Sequence, residues 1–321
     1  ADVAAAACCI WWCHMQSSSY SNLTLEGQPT GDIDNDGDMD IYVCNIYNQT
    51  QVGPYFLINN GSGNFTKVNN NFPAAIANLN SVYMASRFAD IDNDGDMDIF
   101  VGGSVIHGKY PLSNDSYLLK NNNGKFVNVT LEKINDLSDL KMVNDAIFSD
   151  YDNDGDQDLI VVGEWMPVVI FENVGAKFIK KEIPVLENSN GWFQSIIETD
   201  INNDGFKEYI IGNWGTNNKF HPSKDKPLHI YADYLDGNTT FDVVLSKVSK
   251  TGELLPVRGK ECSSQQVPVL NEKVKSFKEF ASLTLPDIYG EKALNNATHF
   301  TAHNFSSFIL KYTKNKQFEI D

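Results

Sequence analysis

The chain has 321 residues and a formal net charge of −17, with 42 acidic and 25 basic side chains. Because 42% of its residues are hydrophobic, it can bury a core, which excludes a disordered acidic tail. The acidic balance excludes a nucleic-acid-binding protein, since such proteins present a basic face.

The first thirty residues differ from everything that follows, so residues 1–30 are treated as an N-terminal segment of unclear nature. Their apolar run, residues 3–13, is too short to cross a bilayer, and we expect no membrane span. The cysteines show neither the CxxC spacing of a zinc site nor a disulfide framework. They are Cys8, Cys9, Cys13, Cys44 and Cys262.

Four acidic loops come next, at residues 32–40, 90–98, 150–158 and 200–208, and read DIDNDGDMD, DIDNDGDMD, DYDNDGDQD and DINNDGFKE. Together they hold eighteen acids and one lysine, which is the whole net charge. Each is flanked by short β-rich runs, and in the first three repeats a strand–turn–strand signal with Gly and Asn follows. Four short strands per repeat of 50–60 residues predict the blades of a β-propeller.

Past the fourth loop the repeat weakens. Residues 233–242 are predicted to be a degenerate fifth loop, one residue longer than the others. The helical spacing of residues 269–294 predicts a short helical insertion, and residues 303–320 return to the pattern of strands that close a blade. We therefore expect an all-β propeller of four-stranded antiparallel blades over residues 31–321, as part of a ring of about seven or eight blades.

The acidic loops carry the predicted chemistry. Side-chain oxygens at positions 1, 3, 5 and 9, with the carbonyl of position 7, would form a cage of hard ligands, which suits calcium better than magnesium. Glycine at position 6 permits the sharp turn. The predicted ligands are Asp32, Asp34, Asp36, Asp38 and Asp40; Asp90, Asp92, Asp94, Asp96 and Asp98; Asp150, Asp152, Asp154, Asp156 and Asp158; and Asp200, Asn202, Asp204, Phe206 and Glu208.

These ligands predict about four calcium ions, with a weak fifth site near Asp233–Asp242. The fourth loop has the least charge and is expected to bind most weakly. A single Asp-rich turn is more often a solvated loop, but four spaced copies argue against that interpretation. An EF-hand is excluded, because its position 12 requires glutamate. Here that position holds Val43, Val101, Val161 and Ile211.

The loops with their following strands, DGDMDIYV, DGDMDIFVGG and DGDQDLIVVGEW, resemble FG-GAP/VCBS repeats such as those of integrin α-subunit propellers and of cartilage acidic protein-like proteins. The motifs at Gly102-Gly103, Gly163-Glu164-Trp165 and Gly212-Asn213-Trp214 are similar to those of large VCBS-repeat surface proteins of Bacteroidetes, which are often associated with an ASPIC/UnbV domain. The resemblance covers residues 30–321. It implies a calcium-stabilised extracellular propeller used for binding or scaffolding.

No catalytic site is predicted. The candidate side chains stand in no nucleophile, dyad or metal-ligand spacing, and His299 and His303 lack the glutamate of an HExxH motif. The full set of candidates is His107, His221, His229, His299, His303, Arg87, Arg258 and Tyr110. Blade packing is favoured over a sugar-stacking platform for Trp165, Trp192 and Trp214.

The expected function is therefore that of a non-catalytic binding, adhesion or assembly module, located outside the cell or on its outer surface. Its expected partner is a protein or glycan ligand at the cell surface, in a larger assembly if it forms one. Two alternatives stay open at this point: a polysaccharide-active enzyme similar to calcium-dependent lyases, and a subunit of a surface polymer or transport complex.

Overall fold

A computed structural model describes residues 30–43, 54–68, 72–73, 76 and 83–321. The predicted N-terminal segment lies outside these residues except for Thr30, as do Cys8, Cys9, Cys13 and Cys44. Contacts between Cα atoms divide the chain into two compact units. We call residues 27–107, 112–218 and 305–321 the blade unit, and residues 108–111 and 219–304 the insertion.

The first two sheets of the blade unit are each built from four consecutive antiparallel strands, in the orders β1-β2-β3-β4 and β5-β6-β7-β8. An acidic loop joins the first strand of each sheet to the second, and a short turn joins the third to the fourth. The strands are β1 (Thr30–Gly31), β2 (Asp40–Val43), β3 (Tyr55–Asn59), β4 (Phe65–Val68), β5 (Tyr83–Ala89), β6 (Asp98–Gly103), β7 (Tyr117–Asn122) and β8 (Lys125–Asn128).

The next two sheets are joined into one eight-stranded sheet, because the end of β10, which also pairs with β9 and β11, pairs with the start of β13 around a bulge. The strands are β9 (Met142–Ser149), β10 (Asp158–Met166), β11 (Val169–Asn173), β12 (Phe178–Lys180), β13 (Gly191–Thr199), β14 (Glu208–Asn213), β19 (Phe308–Tyr312) and β20 (Phe318–Ile320). A short helix, α1 (Thr130–Lys133), and two 3₁₀ turns, Asn135–Asp139 and Pro184–Leu186, lie in the connections.

The last strands of the chain complete the fourth sheet. β14 pairs with β19, so that Glu208 lies opposite Lys311, and β19 pairs with β20. The predicted blade-closing pattern at residues 303–320 thus supplies two strands, and they close the sheet that carries the fourth acidic loop.

The cores of the blade unit lie between successive sheets. Along β6, Ile99 and Val101 pack in one cluster with residues of the first sheet, whereas Phe100 packs in another with residues of the third. Along β10 the alternation repeats, since Leu159 packs toward the second sheet and Ile160 toward the fourth. A second strand buried on both faces therefore follows from the stacking of sheet upon sheet, as in propeller blades.

The insertion is a four-stranded antiparallel sheet in the order β17-β16-β15-β18, with helices between β17 and β18. Its strands are β15 (Leu228–Asp233), β16 (Asp242–Val248), β17 (Leu254–Pro256) and β18 (Thr298–Ala302), and its helices are α2 (Lys260–Gln266), α3 (Leu270–Lys273), α4 (Phe277–Phe280), α5 (Leu285–Tyr289) and α6 (Glu291–Asn296). The helical segment predicted at 269–294 is confirmed as short helices and begins earlier, at residue 260.

The all-β fold class and its four-stranded antiparallel sheets are confirmed. The predicted fifth loop, residues 233–242, connects β15 and β16 within the insertion, and so lies outside the blade unit. None of the helices that the structure describes is long and apolar enough to cross a membrane.

Candidate metal centres

Each acidic loop is shaped by its own first carboxylate. In the second loop, Asp90 accepts hydrogen bonds from the backbone N–H groups of Asp94, at 3.1 Å, and of Gly95, at 2.9 Å. The same pair of bonds forms at Asp32, Asp150 and Asp200. The turn places positions 4 and 6 in left-handed backbone, with φ of 56° at Asn93 and 93° at Gly95, a conformation that asparagine and glycine tolerate.

The carboxylate at position 9 is fully buried and ties the loop to its sheet. Asp98 accepts the N–H of Ile91 at 3.2 Å and the N–H of Asn121, at the end of β7, at 2.7 Å. Asp40 and Asp158 make the same two bonds in their own loops. Burial raises the pKa of both Asp98 and Asp158 to about 7, although the N–H groups act in the opposite direction. A nearby cation would stabilise the ionised form of these groups.

Carboxylates converge in three loops closely enough to share one metal ion. Oxygen atoms within 4.8 Å of one another come from Asp32, Asp34 and Asp36, from Asp90, Asp92 and Asp94, and from Asp150, Asp152 and Asp158. Position 3 is the least satisfied: one oxygen of Asp92 and one of Asp152 are buried without a hydrogen-bond partner. Buried, unpartnered carboxylate oxygens in a cluster of like charge fit a hard cation.

Side chains at position 7 make contacts between neighbouring loops. The side-chain amide of Asn35 donates to Asp96 at 2.5 Å, and that of Asn93 lies 3.5 Å from Asp156. In the third loop, Asn153 donates to the backbone oxygen of Gly205 at 3.2 Å. Position 4 of the first three loops is thereby linked to the next loop along the chain. The main-chain carbonyl remains the ligand candidate at position 7.

The second loop contains a built-in cation. The ammonium group of Lys120, on β7, forms an ion pair with Asp92 and another with Asp94, whose Oδ2 lies 2.9 Å from Nζ. It therefore contacts the carboxylates of positions 3 and 5, two of the three that would hold a metal ion. Nothing in the spacing of the acidic residues indicates this contact, since Lys120 lies 28 residues from Asp92 along the chain.

The fourth loop keeps the turn but changes the donor set. The amide nitrogen of Asn202 donates to Glu208 at 2.8 Å, and its oxygen accepts the N–H of Asp204 at 2.8 Å. Among the residues that the structure describes, this loop does not bring three acidic side chains together as the first three do. Its charge is smaller and its amide is occupied, and that it binds most weakly stays a prediction.

The fifth loop aligns differently from the sequence prediction. Its closing bond, from the N–H of Leu235 to Asp242 at 3.0 Å, matches the bond from position 2 to position 9 elsewhere. In that alignment position 1 is Tyr234, which brings no carboxylate to the loop backbone. Position 3 is Asp236 and position 5 is Asn238. The fifth loop therefore has the closing geometry of the others without their full set of acidic donors.

An asparagine at the end of the third strand was missed by the sequence analysis. Besides its backbone bond to position 9, the side chain of Asn121 donates to the carbonyl of Ile33 at 2.9 Å, and Asn173 to that of Ile91 at 3.1 Å. Each asparagine therefore links its own sheet to the acidic loop of the sheet before it. The signal was present as the recurring strand ends FLIN, LLKN and IFEN.

The candidate catalytic residues are placed as follows. His229 Nδ1 lies 2.9 Å from His299 Nε2, with the two rings nearly coplanar, in the insertion. His303 contacts the hydroxyl of Thr301 at 3.1 Å. In the blade unit, Arg87 forms an ion pair with Asp145. None of these contacts has the nucleophile–base–orienter geometry of a hydrolase.

The three tryptophans form one edge-to-face series in the blade unit. Ring centroids are 5.2 Å apart for Trp165 and Trp192 and 5.7 Å apart for Trp192 and Trp214. Trp165 and Trp192 are buried, while Trp214 is 36% exposed. The first two rings are therefore buried in the packing of the blade unit, the role that the sequence favours.

No curated protein matches the chain. Among solved structures, it is similar to the V. cholerae biofilm matrix protein Bap1, with 11% identity and a TM-score of 0.30. That match covers 91% of this chain and 54% of the Bap1 chain, so the chain spans about half of its length. A model of the FG-GAP-like repeat matches residues 32–101 and 150–211, which include all four acidic loops. These two segments are therefore similar to FG-GAP-like repeats.

Proposed function

We propose that this chain is a calcium-stabilised, non-catalytic binding or adhesion module that works outside the cell or on its outer surface. The observation that carries the proposal is the convergence of three carboxylates in each of three loops, from positions 1, 3 and 5 in the first two and from positions 1, 3 and 9 in the third. All donors are hard oxygens, and further carbonyl and carboxylate oxygens stand in the same loops. Calcium accepts six to eight such ligands, whereas magnesium retains more of its water.

The proposed location follows from the expected affinity. The loops lack the bidentate glutamate of an EF-hand, so dissociation constants of about 10⁻⁴–10⁻³ M are expected. Sites of this strength fill only where free calcium is in the millimolar range, as it is outside cells. Bound ions would stabilise the loop edge of the blade unit, which makes the module suited to holding a protein or glycan ligand at a cell surface.

Calcium is expected to raise the melting temperature. A loop with a dissociation constant of about 10⁻⁴ M, in about 2 mM calcium, gains roughly 2 kcal/mol of stability. We expect the midpoint to be several degrees higher in calcium than in EGTA, with magnesium at the same concentration giving a much smaller shift. Equal midpoints in calcium, magnesium and EGTA would contradict the proposal.

A matched pair of variants in the third loop tests the ligand assignment. Asp152→Asn removes a charge from the converging cluster, at a position whose Oδ1 has no hydrogen-bond partner. Asp156→Asn removes the same charge at position 7, where the side chain lies near Asn93 instead. We expect calorimetric titration to show one calcium ion fewer, or about tenfold weaker binding at one site, for Asp152→Asn. Asp156→Asn should bind nearly as the parent does.

Calcium is also expected to invert the pH dependence of the blade unit. Burial raises the pKa of Asp98 and Asp158 from 3.8 to about 7, so the metal-free fold favours their protonated forms. That stabilisation is present at low pH and is lost as the pH rises through about 7. In EGTA, stability should therefore fall between pH 5.5 and pH 8, whereas in calcium it should rise because protons compete with the ion. Urea unfolding followed by tryptophan fluorescence measures the free energy of unfolding in EGTA and in calcium. If that free energy changes with pH in the same direction in both, the prediction is contradicted.

A further inference from the structure

We propose that Lys120 is a tethered counter-ion of the second acidic loop, which holds Asp92 and Asp94 together in the metal-free protein and competes with calcium for them. The proposal rests on the proposed function, since it takes the loops as calcium sites. It assigns the second loop a weaker calcium affinity than the first, although the nine residues of the two loops are identical, DIDNDGDMD.

The difference between the two loops lies outside them, at one register position. Lys120 directly precedes Asn121, whose N–H is bonded to position 9. The corresponding residue of the first sheet is Ile58, which precedes Asn59 and is uncharged. Since β2 pairs with β3 as β6 pairs with β7, the two side chains occupy matching places beside their loops.

The third and fourth sheets carry charged residues at this position too, but each has a partner of its own. Glu172, which precedes Asn173, forms an ion pair with Lys181, the residue that directly follows β12. Lys311, opposite Glu208, forms an ion pair with Asp321. Lys120 is the one of the four whose ion pairs, among the described residues, are made to loop positions 3 and 5.

Competition follows from the place of these contacts. Lys120 is 23% exposed and Asp92 17% exposed, so their attraction is screened less than that of a surface pair, whereas Asp94 is 37% exposed and its attraction to Lys120 is screened more. An incoming calcium ion must share Asp92 and Asp94 with the ammonium or displace it. Sharing places two like charges within a few ångströms, and displacement breaks both ion pairs of Lys120. Either cost lowers the calcium affinity of the second loop by about tenfold or more.

Hydrogen exchange measured by mass spectrometry can test this loop by loop, because peptides covering residues 32–40, 90–98 and 150–158 report separately. In the parent protein, the calcium concentration that half-protects 90–98 is expected to be at least about tenfold above that for 32–40. Lys120→Met should lower the midpoint of the second loop to that of the first. Ile58→Lys should raise the midpoint of the first loop, and in both variants the third loop should keep its own.

A charge control and a metal-free measurement complete the test. Lys125→Met removes an exposed lysine of the same hairpin and should leave all midpoints in place. In EGTA, Lys120→Met should melt at a lower temperature than Lys125→Met, since it leaves Asp92 and Asp94 without their cation. An unmoved second-loop midpoint in Lys120→Met would overturn the role of Lys120 while leaving the calcium sites intact. If no loop of the parent responds to calcium, the proposed function fails and this inference with it.

Discussion

Replacing Asp98 by alanine is expected to destabilise the blade unit by about 3–5 kcal/mol, with or without calcium. The carboxylate is fully buried, and its two oxygens accept the N–H groups of Ile91 and Asn121. Both donors belong to residues that are themselves buried, so alanine leaves two N–H groups without a partner or access to water. Each such group costs about 1–3 kcal/mol.

Two variants separate this effect from the loss of a charge. Asp98→Asn keeps one acceptor oxygen and the shape of the side chain, and should cost about 1–2 kcal/mol. Asp96→Ala removes one carboxylate from the same loop, but its contacts, with Asn35 and with the N–H of Asn123, lie at the exposed surface, and it should cost less than about 1 kcal/mol. Urea unfolding in EGTA measures all three. Similar losses for Asp98→Ala and Asp96→Ala would show that charge, and not the buried hydrogen bonds, sets the cost.

The strands around each loop were predictable because the residue pattern that indicates them lies next to the loop in the sequence. A buried second strand such as Ile99–Val101 follows its acidic loop directly, and its run of β-branched and aromatic residues admits one interpretation. The turn inside the loop was equally predictable, since Gly95 stands where left-handed backbone is needed. Both depend on side chains within a few residues of one another.

The contacts that the sequence does not reveal are non-local. Strand β19 pairs with β14 although the insertion separates them along the chain, and the residues near Phe308 do not indicate which sheet the strand joins. The same holds for Lys120, which as a single charge in a short strand has the pattern of a solvated face. Its contact with Asp92 depends on strand register, which is set by packing between sheets. The fifth loop also begins one residue later than predicted, at Tyr234 instead of Asp233, since its closing bond runs from Leu235 to Asp242.

The stability of the insertion is expected to be sensitive to acid because of its histidines. His229 lies on β15 with Nδ1 2.9 Å from His299 Nε2, and its other ring nitrogen is buried without a hydrogen-bond partner. Its neighbour across the pair of strands β15 and β16 is Ser246, which is fully buried. Tyr231 stacks on His299 at a centroid distance of 4.3 Å. This environment accommodates neutral imidazole and offers little to a charged one.

The pKa of His229 is accordingly lowered from 6.5 to about 4, first by burial and then by the charges of His299 and His303. Burial lowers the pKa of His299 and His303 as well. In the unfolded chain these groups take up protons near pH 6.5, so the unfolded state binds more protons than the folded state between about pH 6.5 and pH 4. The stability that neutral His229 contributes is present above pH 6.5 and is lost as the pH falls through this window.

Acidification from pH 7 to pH 5 is therefore expected to destabilise the insertion by about 1–2 kcal/mol through His229, after a discount for solvent screening. Hydrogen exchange of peptides covering β15 and β18, corrected for the intrinsic effect of pH, should show protection falling about tenfold. His229→Gln should remove most of this change, because glutamine keeps a polar side chain that does not titrate. His221→Gln, at an exposed position, should leave it as in the parent. In calcium-free protein, peptides from the blade unit should gain protection as the pH falls over the same interval, since Asp98 and Asp158 take up protons there. If both units lose protection together, His229 is not the origin of the acid sensitivity.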